Sequence, residues 1–97
     1  MLPIMTANYA VSAEEAVALE TAFRDWWLAR EQIVPSDRIL YVLYLDFARQ
    51  LGKYKKKYSG ATLVLMAQSK KDQWLGRGLD DRVLRKLALD VFGIVLA

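Results

Sequence analysis

Apolar residues recur at helical spacing in three stretches of this chain and run together in a fourth. The first stretch opens on Ser12-Ala13-Glu14-Glu15, a capping box in which the serine side chain takes the N–H three residues on and Glu15 reaches back. Val11 and Ala16 hold the staple positions beside it. Leu19, Phe23, Trp26, Trp27, the stem of Arg30 and Ile33 continue the stripe. Ile33-Val34-Pro35 ends it, because the residue before a proline is pushed out of the α region. The spacing predicts a helix over about 12–32.

Ser36 and Asp37 make a second N-terminus, with the acid against the positive end of the helix dipole. Leu40, Leu43, Tyr44, Phe47, Ala48 and Leu51 form the stripe, and Gly52 is the expected left-handed stop, giving a helix over 36–51. Ile39, Tyr41, Val42 and Leu45 make its first half apolar nearly all round, as in a central helix or an interface. Lys53–Gly60 follows as a basic connector flanked by tyrosines.

The next segment is ambiguous by periodicity alone. Its Ala, Leu, Met, Gln and Lys content favours a helix over 61–75. The alternative is a short β-hairpin within 62–75, pairing Thr62–Gln68 with Gln73–Leu75. Gly76-Arg77-Gly78-Leu79 reads as a tight turn, and Asp80 as the cap of a last helix over 80–92 with Leu79 and Leu84 as its staple. Val83, Leu84, Leu87, Ala88, Val91 and Phe92 form the stripe, Gly93 ends it, and Ile94–Ala97 is an apolar tail. The expected fold is therefore mostly α, a compact single domain over 1–97 with about four helices.

Composition narrows the chemistry. With 97 residues, no Cys and no His, the chain has neither thiol nor imidazole nucleophiles, zinc fingers, nor haem ligation by those groups. A domain of this size buries roughly 60–70% of its unfolded surface, enough for a core without staples. Apolar residues make up 55% of the chain, above the typical 45–50%. Five Tyr and five Gly leave that figure the same whichever of the two is counted as apolar. The unbroken apolar run Ile39–Leu45 is far short of the ~20 residues a membrane span needs, and residues 1–10 lack the basic start of a signal peptide. A soluble cytoplasmic domain that forms a homodimer is the expectation. Neighbours on a helix lie ~100° apart, so Trp26 and Trp27 cannot both face inward. Trp27, Tyr41, Leu45, Ile94, Val95 and Leu96 are the candidate interface residues.

Charge adds a direction. Residues 1–37 carry six acids against two bases, and residues 38–77 carry nine bases against Asp46 and Asp72. Such a gradient is the footprint a polyanion uses, unless the acidic and basic segments simply pack together. Lys53, Lys55, Lys56 and Lys57 can hold phosphates, and Tyr54 and Tyr58 can stack on unpaired bases. The last two helices with their short turn outline a helix-turn-helix, whose Arg82, Arg85 and Lys86 would enter or flank a groove. Asp80 and Asp81 at the same end oppose that use. Glu14-Glu15 and Asp80-Asp81 are explained as helix N-terminal acids, and no phosphate loop or nucleophile–base spacing is present. No enzyme, cofactor or metal is expected.

Phe23-x-x-Trp26, Val34-Pro35 and Leu40-Tyr41-x-x-Tyr44-x-x-Phe47-Ala48 with Gly52 resemble the front half of a winged-helix group. That group includes the domains following phage primase-helicases and the RFX-type DNA-binding domains. Asp80–Ile94 is similar to its third helix. The likeness covers about half the chain, with some 27 residues between its two parts and no segment where the β wing belongs; a hairpin at 62–75 would have to replace it. It implies duplex DNA binding through the last helix, in a phage or other mobile element. Two functions are thus expected: a small nucleic-acid-binding protein, or a helical homodimer or adaptor that binds a protein partner and no nucleic acid.

Overall fold

The structure, a computed structural model, describes residues 12–31 and 38–97. Four helices make it up: α1 (Ala13–Glu31), α2 (Arg38–Lys57), α3 (Gly60–Leu75) and α4 (Asp81–Phe92). Helix α2 packs against all three others, and α4 bridges α1 and α3. Val11, Ile33, Val34, Pro35 and Ser36, with the cap, staple and break expected of them, lie outside the described residues.

The α1 capping box forms in full. The Glu15 N–H donates to Ser12 Oγ at 3.1 Å and the Ser12 N–H to Glu15 Oε1 at 2.9 Å. At α4, Asp80 accepts the N–H groups of Arg82 and Val83. Gly93 ends that helix at φ 70°, a left-handed conformation that costs glycine nothing.

Two expectations are corrected. Helix α2 does not stop at Gly52 but continues to Lys57, so most of the expected connector is its last turns. Lysines are good helix formers, and Lys55, Lys56 and Lys57 face the negative end of the helix dipole. Gly52 serves close packing instead: a Cβ there would lie 3.2 Å from Leu19 Cδ2 and 3.8 Å from Phe92 Cε1. The hairpin at 62–75 is not formed, and the described residues contain no strand. Those positions are helical because Ala67, Lys71 and Trp74, at i, i+4 and i+7, turn one side into the protein.

Phe23, Phe47, Leu51, Leu84 and Leu87 form the fully buried centre. Polar groups inside it cross-link the helices. Trp74 Nε1 donates to the Leu43 carbonyl at 3.0 Å, and the Asp80 N–H to Tyr44 Oη at 2.8 Å. Lys71, only 4% exposed, meets Asp81 at 2.6 Å, and Asp81 also holds Arg85 at 2.7 Å. The hydrogen bond from Lys71, reinforced by its charge and by Arg85, holds the Asp81 carboxyl below the usual carboxylate range despite some desolvation.

Candidate nucleic-acid interface

From Phe47 to Lys71 the chain carries seven bases and no acid. The fold places five on the C-terminal half of α2 and two, Lys70 and Lys71, near the C-terminus of α3. Some are engaged inside the protein. Lys55 donates to the Phe92 carbonyl at the C-terminus of α4, at 2.9 Å. Lys56 pairs with Glu15 at 2.9 Å and Arg49 with Glu20 at 2.7 Å, so acidic α1 and basic α2 do meet at these two points. The Lys56 hydrogen bond is the main reason the Glu15 carboxyl lies below its ordinary range.

Lys71 pairs with Asp81, while Lys57 and Lys70, and Arg77 beyond them, lie against rings. Lys57 Nζ sits 5.4 Å from the centre of the Tyr58 ring, and Tyr58 meets Tyr54 edge-on at 5.8 Å. Lys70 Nζ lies 6.0 Å from the Tyr54 ring and 5.5 Å from the Trp74 ring, and the Arg77 guanidinium stacks 4.2 Å from Trp74. Cations and rings therefore form one continuous row from the end of α2, across the last turns of α3, to the turn that leads into α4. Tyr54 and Tyr58 are half-buried, while Trp74 is 3% exposed beneath its two cations. Lys53 is half-buried nearby in sequence, on the same helix.

Lys70, Trp74 and Arg77 were not among the expected binding residues, although the signal is present. Lys70, four before Trp74, falls beside it on a helix, Arg77 reaches it from the turn, and Tyr54 and Tyr58 are likewise four apart. That spacing has meaning only once 53–57 and 68–75 are known to be helical.

The second expected cluster lies beyond the turn, away from the basic end of α2. Arg82, Arg85 and Lys86 are exposed near the start of α4, and about 15 Å of helix separates Arg82 from Phe92, whose carbonyl holds Lys55. Arg85 is tied to Asp81, and Lys86 to Asp90 at 3.5 Å. Asp90 also accepts from Trp26 Nε1 at 2.8 Å. The helix pair with its short turn is formed, but two of its three outward bases are already paired with acids.

Of the expected interface residues, Trp27, Leu45, Ile94 and Leu96 are buried in this chain's own core, which accounts for their apolarity without a partner. Tyr41 is half-buried, and burial pushes its phenol up. Val95 is 71% exposed. Other exposed aliphatic residues are spread over the helices: Val17 on α1, Ile39, Leu40 and Val42 on α2, Val64 and Leu65 on α3, and Leu89 on α4. Val17, Glu20, Thr21, Arg24, Tyr41 and Leu45 line a shallow groove of about 280 Å³.

Among the described residues no cluster of acids is arranged to hold a metal ion, and no helix is long and apolar enough to cross a membrane. The chain matches no known protein family, no curated protein and no solved structure.

Proposed function

We propose that this is a small non-enzymatic nucleic-acid-binding protein whose contact surface is the basic end of α2 together with α3. The observation that carries it is the stretch from Phe47 to Lys71, which holds no acid and in which Lys57 and Lys70 lie over aromatic rings, while Arg49, Lys56 and Lys71 pair with carboxylates from elsewhere in the chain. Cations of this kind bind phosphates by releasing counterions, so affinity falls steeply with salt. On the winged-helix resemblance α4 would be the helix that reads DNA. The acids paired with Arg85 and Lys86 oppose a phosphate backbone there, which favours the α2–α3 surface.

The test is fluorescence anisotropy of labelled generic DNA at two salt concentrations, with wild type and the variant Lys53→Gln/Lys57→Gln/Lys70→Gln/Arg77→Gln. Lys55 and Lys56 are left intact because they bind Phe92 and Glu15. The expected result is salt-sensitive binding whose log–log slope falls by about 0.7–0.9 for each phosphate that the variant no longer neutralises. Absence of binding at low salt rejects the function. Binding that the variant leaves unchanged rejects the surface.

A second function, self-association through the α1–α2 face, is favoured by one observation: Ile39 and Val42 stay exposed after the core is complete. A dimer formed there and a nucleic-acid surface on α2–α3 are mutually compatible.

A further inference from the structure

The row of cations and rings has a geometry that distinguishes one form of nucleic acid from another. Phosphates need only positive charge, which any basic surface supplies. Stacking needs an exposed base face, which a duplex keeps inside its own stack and a single strand offers at every nucleotide. Tyr54 and Tyr58 are half-buried, edge-on to one another, and flanked by Lys57 on one side and Lys70 on the other. Trp74 lies farther along, with Lys70 and Arg77 over its ring. On α3 the row occupies the last turns, from Lys70 to Trp74, and it joins Tyr54 and Tyr58 through Lys70 and the turn through Arg77, so two rings and three cations are offered together.

A duplex keeps its base faces from Tyr54 and Tyr58, so on this surface it gains phosphate contacts alone. Reading a duplex takes an element inserted into a groove. The helix suited to that, α4, presents Asp81 and Asp90 among its bases. We infer that the ligand is single-stranded nucleic acid, held by Lys57, Lys70 and Arg77 at its phosphates and stacked on Tyr54 and Tyr58. This rests on the nucleic-acid function proposed above and adds the form of the ligand. Trp74 acts here as a positioning residue: buried and bonded to the Leu43 carbonyl, it fixes where Lys70 and Arg77 stand.

The experiment compares labelled twenty-nucleotide oligo-dT, oligo-U and a twenty-base-pair duplex by anisotropy on the full chain. The expected result is at least tenfold tighter binding of a single strand than of duplex, with quenching of the tyrosine and tryptophan emission. The two single strands tell whether DNA or RNA is preferred. In Tyr54→Leu/Tyr58→Leu the single-strand advantage drops by about tenfold or more, ~1.4 kcal/mol, while the salt slope is kept. Duplex bound as tightly as single strands by wild type overturns the inference and leaves the nucleic-acid function standing. Loss of binding to all three at low salt overturns both. The wild-type comparison decides the matter even if the double variant fails to fold, which circular dichroism would show.

Discussion

Gly52 shows how one residue can carry opposite meanings in a sequence and in a fold. As a glycine after an apolar stripe it signals a helix end, yet it lies within a 20-residue helix, where it costs ~1 kcal/mol relative to alanine. What sits above it is the side-chain end of Leu19, on a half-buried residue able to give way, and the edge of Phe92. Gly52→Ala is therefore expected to be neutral or to raise the melting temperature, by up to about 4–8 °C for each kcal/mol of helix propensity gained. Gly52→Leu has no such room and is expected to cost about 1–3 kcal/mol through overpacking. Thermal melts of both variants check this. If alanine proved as damaging as leucine, the α1–α2–α4 junction would be rigid at Leu19.

Helices α3 and α4 are clasped by charge as well as by packing. Lys71 is buried, and its ammonium is matched by Asp81 at the first turn of α4, where a carboxylate also suits the helix dipole. Because the folded protein holds this carboxyl below its ordinary range, the clasp stabilises fully above the unfolded value of about 4. Its contribution disappears as pH falls through the folded value, since the unfolded chain takes up the proton first. Glu15, lowered mainly by Lys56, adds a change of the same sign. Wild type is thus expected to lose melting temperature between pH 5 and pH 2. Asp81→Asn should melt lower at pH 7, because Lys71 keeps its buried charge without a counter-ion, and should show a flatter acid limb. Parallel pH profiles for the two proteins would show that the clasp contributes nothing.

At the scale of the whole molecule, α2 carries an apolar start and a basic end. The acids of α1 neutralise Arg49 and Lys56, and the row across the last turns of α3 keeps its cations beside rings. Three exposed aliphatic residues, Ile39, Leu40 and Val42, lie together at the start of α2. If that face joins two copies, light scattering will show a mass that rises with concentration, and Ile39→Lys/Val42→Lys will restore the monomer. Both positions are exposed, so the change in stability is expected to stay within about 0.5 kcal/mol. A monomer at every concentration would reject self-association and leave the α2–α3 surface unaffected.

Much of the architecture follows from the order of residues alone. The capping box at Ser12, the aspartate cap at Asp80, the glycine stop at Gly93 and the stripes of α1 and α4 depend on neighbours three or four positions away, so local chemistry determines them. The helical state of 60–75 was legible as a preference but stayed open to a hairpin, because seven mostly apolar residues satisfy either period. Tertiary structure decided the rest. Only packing against Leu19 and Phe92 turns Gly52 from a stop into a contact, and only the continued helix brings Tyr54 beside Tyr58 and Lys70. Which lysines face inward partners, and which expected interface residues are absorbed by the core, depends on positions tens of residues apart meeting in space. Periodicity specifies which face of each helix is apolar. The close approach of the helices determines what each face meets.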